Sequence, residues 1–336
     1  MMRSRKWMVL CAAVLLAPAM AFAAADDDRV MGYYEGSFTG DSGALKSIYA
    51  RVAGLSETSW KAVFYIAGAD GVETRTEVEG KAEARRKPAN FDGTIDLGAL
   101  GGNTAVKGVI EKRTFEGTLT PEGGQPVAFT LKRVTKESPT LGAPAPEGAI
   151  VLFDGTSTDK WRREPETWCV QPDGSMQVCG SSLRTRDEFG SGTYHVEFKT
   201  PYQPNEREQG RGNSGVYLLG RYEVQVLDNF GWEPKWDFCG GIYKVAVPLK
   251  DATLPPLTWQ TYDITFTAAK FDTNGNKMDN ARITVVHNGI TVHDNLELPH
   301  PTPGGVSGED GATGPLLLQD HRNEVSYRNI WFKPAE

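Results

Sequence analysis

Short stretches of alternating apolar and polar residues, closed off by glycine, recur along this chain, and no window of a dozen residues carries helical spacing. Between Met31 and Val134 they fall at 34–38, 48–52, 60–66, 74–78, 91–97, 105–110, 114–119 and 127–134. A period of two marks a half-buried strand, and the glycines between mark tight connections, so this part predicts an antiparallel meander. Further strand signals, richer in aromatics, follow at 150–153, 167–170, 175–178, 192–199, 214–219, 222–227, 260–267, 281–287, 290–295, 315–319 and 325–332. With no crossover helices, that many strands imply two antiparallel sheets packed face to face. The expected fold class is all-β, a sandwich preceded by a small antiparallel β domain.

The two parts meet at 136–148, where Pro139, Pro144 and Pro146 lie among small residues, the composition of an extended, stiff connector. The expected organisation is therefore an accessory domain over 30–135, the proline-rich linker, and a second domain over 149–336. Arg3, Arg5 and Lys6 precede an apolar run that ends in Ala21-Phe22-Ala23, the pattern of a secretory signal peptide over 1–24 and of an exported, periplasmic or extracellular protein. No later segment reaches the roughly 20 apolar residues of a membrane span.

Composition narrows the partners. The 336 residues include 36 Lys+Arg against 43 Asp+Glu, a net charge of -7, and 39% are hydrophobic. That apolar share fills real cores and excludes disorder, and the acidic balance argues against a nucleic-acid or anionic-membrane surface. Cys169, Cys179 and Cys239 suit neither a zinc site nor a Cys-x-x-C redox pair. Cys169 and Cys179 flank the turn Pro172-Asp173-Gly174, so they are read either as a disulfide across a hairpin or as small buried apolar residues.

Chemistry concentrates in the second domain. Along 221–226, alternation sends Val224 and Val226 to the core and Arg221, Glu223 and Gln225 to the other face, and a bulge after Val226 would add Asp228. An aromatic loop with Trp232 and Trp236 follows at once. Indole faces stack on sugar rings while carboxylates and amides bind hydroxyls, so the pair of features points to carbohydrate; the alternative is a loop folding its rings onto its own core. A second polar row, Gln319-Asp320-His321, follows the apolar 315–318 and adds a residue able to serve as general acid, base or metal ligand. Asp272-Thr273-Asn274-Gly275-Asn276 has its glycine misplaced for a calcium loop and lacks a closing Glu, so it reads as a polar hairpin turn. Asn288-Gly289 is written for a type I′ hairpin.

A specific resemblance emerges from the order of these motifs. Leu152-Phe153-Asp154-Gly155, Gly212-Asn213-Ser214-Gly215-Val216-Tyr217, Tyr222-Glu223-Val224-Gln225-Val226-Leu227-Asp228, Cys239-Gly240-Gly241-Ile242-Tyr243, Trp259-Gln260-Thr261-Tyr262-Asp263, and Leu318-Gln319-Asp320-His321 with Arg328-Asn329-Ile330-Trp331 resemble the 3-keto-disaccharide hydrolase family over about 150–334. The resemblance implies a concanavalin A-like jelly roll and an exported enzyme acting on glycosides oxidised to a ketone at sugar C3. Such a ketone acidifies the C2 proton, so a base can remove it and expel the C1 substituent, after which water adds to the enone. The base is expected to be Glu223 or His321, with Asp228 as acid or orienter. Substrate contacts are expected from Asn213, Gln225, Trp232, Trp236, Tyr243 and Gln319, and a divalent cation is an open part of the reading. Two other readings stand beside it: a lectin-like module that binds glycans without reaction, and a conventional two-carboxylate glycosidase. The latter resembles sandwich glucanases with Glu-x-Asp-x-x-Glu, but here Gln225 replaces the middle carboxylate and Asp228 shortens the last.

Overall fold

The computed structural model describes residues 29–162 and 168–336. The expected signal peptide and the start of the strand expected at 167–170 lie outside the described residues.

The first domain is more than a meander. Its eight strands, β1 (Gly32–Thr39), β2 (Ser47–Gly54), β3 (Ser59–Ala67), β4 (Glu73–Lys81), β5 (Ala89–Asp96), β6 (Asn103–Glu111), β7 (Thr114–Pro121) and β8 (Val127–Val134), pair in sequence order. β8 then returns to pair with β1, closing a barrel. Closure removes the two free edges that an open meander would expose. The interior is filled by alternate strand residues, with Phe64, Phe91, Phe115 and Phe129 in mutual contact, Phe129 meeting Phe64 and Phe115 edge to face.

The second domain is the expected sandwich. Its larger sheet runs β10 (Cys169–Val170), β11 (Met176–Gln177), β22 (Ser326–Pro334), β13 (Gly192–Lys199), β16 (Gln260–Thr267), β19 (Ala281–His287) and β20 (Ile290–Leu298), with β9 (Ile150–Phe153) also pairing with β22. The smaller sheet runs β12 (Leu183–Arg184), β21 (Leu317–Leu318), β14 (Ser214–Leu218) and β15 (Tyr222–Val226). Val216, Leu218, Val224 and Val226 from the small sheet pack on Val196, Phe198, Tyr262 and Ile264 from the large one, all at 0% exposure. The hairpin β17 (Lys270–Phe271) to β18 (Lys277–Asp279) carries the polar turn, where Asp272 caps the backbone N–H groups of Asn274 and Asn276. Asn288 and Gly289 have φ of 50° and 78°, the left-handed pair that a type I′ turn requires.

The proline-rich segment does not hang free between the domains. It lies over the outer face of the large sheet, where Thr140 donates to Asp263 at 2.6 Å and Asn329 donates to the Ala143 carbonyl at 2.9 Å. Beneath it His195 and Glu197 are fully buried, held by Asp263 and Arg328 at 2.6 and 2.7 Å. Burying such groups is tolerable because each is paired.

All three described cysteines are free, and Cys239 alone is buried. Cys169 pairs in register with Gln177 rather than facing Cys179, and both are exposed, so neither reading of that pair describes this structure.

The barrel docks on the aromatic loop of the sandwich. Tyr33 meets Phe230 edge to face at 5.0 Å and donates to the Thr253 carbonyl at 2.8 Å. Arg51 pairs with Asp251, and Arg75 bonds Glu233 at 2.6 Å.

Candidate functional site

Strand register brings the two polar rows together. β14 pairs with β15 so that Tyr217 opposes Glu223 and Gly215 opposes Gln225, while β21 pairs with the other edge of β14 and the Gln319 N–H bonds the Gly215 carbonyl at 2.9 Å. Paired residues share a face, so Tyr217, Glu223, Gln225 and Gln319 all stand on the outer face of the small sheet. This face is roofed rather than solvated. The free edge of β15 is covered, with the Thr302 hydroxyl accepting the Glu223 N–H at 2.9 Å and the Gln225 N–H on the Gly241 carbonyl, and Pro303 and Gly304 reach over the face to the Tyr217 hydroxyl.

Glu223 is 2% exposed, and burial pushes its carboxyl up to about 8, opposed only by the Tyr217 hydroxyl beside it. That hydroxyl is directed at the Pro303 carbonyl, 3.1 Å away, and accepts from the Gln319 amide at 3.2 Å. Two glycines make the cluster sterically feasible. A Cβ at Gly215 would overlap the Glu223 carboxylate oxygen, and one at Gly304, where φ is +87°, would lie 2.8 Å from the Tyr217 hydroxyl. Tyr243 completes the surround: the nearby Glu223 adds to the burial that raises its phenol, and its ring meets Trp236 edge to face at 5.0 Å. Trp236 is 37% exposed, an aromatic surface open to a ligand.

The row continues through amides. Gln225 Nε2 lies 3.5 Å from Gln209 Oε1, and Asn213 donates to the Gln209 backbone carbonyl at 2.8 Å and to its Oε1 at 3.0 Å. Asn213 Oδ1 and Gln319 Oε1 are buried without a hydrogen-bond partner. Two orphaned acceptors near one buried carboxyl suit a ligand rich in hydroxyl donors, since each unmade bond costs about 1–3 kcal/mol.

Three candidates lie elsewhere. β15 ends at Val226 without the expected bulge, and Asp228 is buried in a 2.7 Å pair with Arg211. Trp232 lies against Arg211, at 4.9 Å, and against Lys61 of the barrel, at 4.3 Å, so this ring serves the domain junction. His321 is exposed two residues beyond Gln319, and none of the hydrogen bonds or ion pairs of the described residues involves its ring. Tyr217 and Gln209 join the site although neither is among the expected site residues. The first was legible from the hairpin, because pairing about Leu219-Gly220 sets Tyr217 opposite Glu223; the second sits in an irregular loop with no periodic signal. Among the described residues no three His, Cys, Asp or Glu side chains converge on a cation site.

A two-sheet sandwich presenting a buried carboxyl, orphaned amide acceptors and an exposed indole on one roofed face defines a carbohydrate-active protein. The family model described as "3-keto-alpha-glucoside-1,2-lyase-like domain" matches residues 148–333, and the chain belongs to that family. A crystal structure of a candidate glycosyl hydrolase from Parabacteroides distasonis is similar, with 31% identity and a TM-score of 0.53 over 60% of this chain and 91% of that one. A second such protein from the same organism is 19% identical, with a TM-score of 0.44 over 56% of this chain and 95% of its own. No curated protein matches the chain.

Proposed function

We propose that this chain cleaves 3-keto-glycosides by elimination across C1 and C2, with Glu223 as the base. The supporting observation is a buried carboxyl whose proton is held until about pH 8, poised between a phenol and two amides on a face lined with hydroxyl-seeking acceptors. A base is most effective when its pKa lies near the working pH and above that of an ordinary carboxylate, because proton abstraction from carbon is then better matched. Burial supplies that shift here.

In this reading the ketone at C3 makes the C2 proton removable, and Glu223 takes it. Electrons from the C2–H bond form the C1–C2 double bond as the C1–O bond breaks and its electron pair leaves with the aglycone oxygen. The Gln319 and Gln225 amides are donors for the enolate oxygen that develops at C3, and the Tyr217 hydroxyl can turn from the Pro303 carbonyl toward the carboxylate once it ionises. Water addition to the enone would give the hydrolysis product. Trp236 and Tyr243 form the apolar side of the sugar cradle. Export remains part of the proposal and rests on residues 1–24.

The test is to run the reaction with a 3-keto-glucoside in D2O and follow the products by NMR. Elimination predicts an unsaturated keto sugar, or a hydrated product carrying deuterium at C2. Release of the aglycone with C2 protium fully retained would favour direct hydrolysis, and binding without release would favour a lectin.

A further inference from the structure

A cavity of about 260 Å³ lies beside the barrel, lined by residues that take no part in the chemistry above. Arg211 and Trp232 form part of its wall. Arg211 is 2% exposed, and its donors are unequally used: Nε bonds Asp228 at 2.7 Å, Nη1 bonds the Gly54 carbonyl of the barrel at 2.8 Å, and Nη2 is buried with no partner. Buried donors are almost always satisfied, and a charged one left empty is costly, so an oxygen acceptor is the missing element.

The rest of the lining narrows what that acceptor belongs to. Arg207 and Lys235 join Arg211, against Glu208 and Asp228, of which Asp228 is already committed to Arg211. The balance is cationic. Lys235 sits over the Phe238 ring at 4.8 Å and has no carboxylate partner among the described residues. Trp232 and Phe238 add apolar ring surface. A guanidinium edge with a free donor, a nearby ammonium and flat apolar walls, in a volume just below that of ordinary small-molecule sites, suits one sugar ring bearing a carboxylate.

We propose that this cavity binds a sugar acid of monosaccharide size, with its carboxylate on Arg211 Nη2 and within the field of Lys235. Arg207 and Arg211 are also held by the Leu55 and Gly54 carbonyls of the barrel, so an occupied cavity would bear on the junction of the two domains. The accessory barrel would then bear on ligand recognition through these two contacts, apart from the cluster around Glu223.

Calorimetric titration of the full chain with D-glucuronate, D-glucose and acetate tests the assignment. Glucuronate should bind at least tenfold more tightly than either control, lose fivefold or more in affinity in the exposed Lys235→Ala variant, and bind undiminished to Glu223→Gln. Arg211→Lys, checked for folding by circular dichroism, should weaken it further. Equal binding of glucose or acetate, no heat with glucuronate, or loss in Glu223→Gln with retention in Lys235→Ala would overturn the proposal. The last result would place the ligand in the Glu223 pocket instead.

Discussion

Tyr217 stands directly opposite Glu223 across the β14–β15 pair, and its hydroxyl is the one group offsetting the burial that raises the Glu223 carboxyl to about 8. Removing that hydroxyl should therefore raise the carboxyl further. If Glu223 is the base, kcat/KM of the wild type rises with pH to a plateau above about 8, and Tyr217→Phe moves the rising limb to higher pH. The limb should persist in His321→Ala, whatever that change does to the maximum rate. A falling limb above pH 8 would instead make Glu223 the acid.

The same shift acts on stability. A carboxyl at 4.5 when unfolded and about 8 when folded keeps its proton preferentially in the folded state, so stability is lost as pH rises from about 4.5 to 8 and is level beyond. At about 1.4 kcal/mol per unit, the penalty above pH 8 is on the order of a few kcal/mol. Glu223→Gln should therefore raise the melting temperature at pH 9 relative to wild type while the two coincide near pH 4.5. Parallel thermal denaturation across this range checks it.

Gly215 offers a steric test of position without removing a functional group. An alanine there would overlap the Glu223 carboxylate oxygen, and it sits at a φ that alanine tolerates. Gly215→Ala should cost roughly 10²-fold in kcat/KM, the usual penalty for displacing a reacting group by an ångström, with a modest change in melting temperature.

The barrel junction should respond to its buried charge pair. Arg51 is 6% exposed and bonds Asp251, the Tyr33 hydroxyl and the Thr253 carbonyl. Arg51→Ala leaves Asp251 uncompensated and should cost about 3–5 kcal/mol in denaturant unfolding. Loss below about 1 kcal/mol would mean that the domains barely depend on this contact.

Alternation made much of the site readable. Glu223 and Gln225 on one row and Gln319 on another each follow a strand whose partner residues are plainly apolar, so the faces could be assigned before their meeting was known. What alternation cannot convey is contact between distant segments. Trp232 reads as a sugar platform because its partners, Lys61 and Arg211, lie 171 and 21 residues away, the first of them in the other domain. Asp228 required a bulge that the chain does not make, and its charge went to Arg211, an earlier loop residue with no motif. The linker reads as an extended connector because prolines report local stiffness, whereas its docking depends on Asp263 and Asn329. Closure of the barrel is likewise a long-range pairing of β1 with β8.

In the proposed reaction Glu223 carries out the cleavage of a 3-keto-glycoside. Incubating wild type and Glu223→Gln with a chromogenic 3-keto-glucoside and with its unoxidised parent measures it directly. Aglycone should be released from the keto compound alone, and its release should fall roughly 10²–10⁴-fold in Glu223→Gln. Undiminished release by that variant, or comparable release from the unoxidised glucoside, would contradict it.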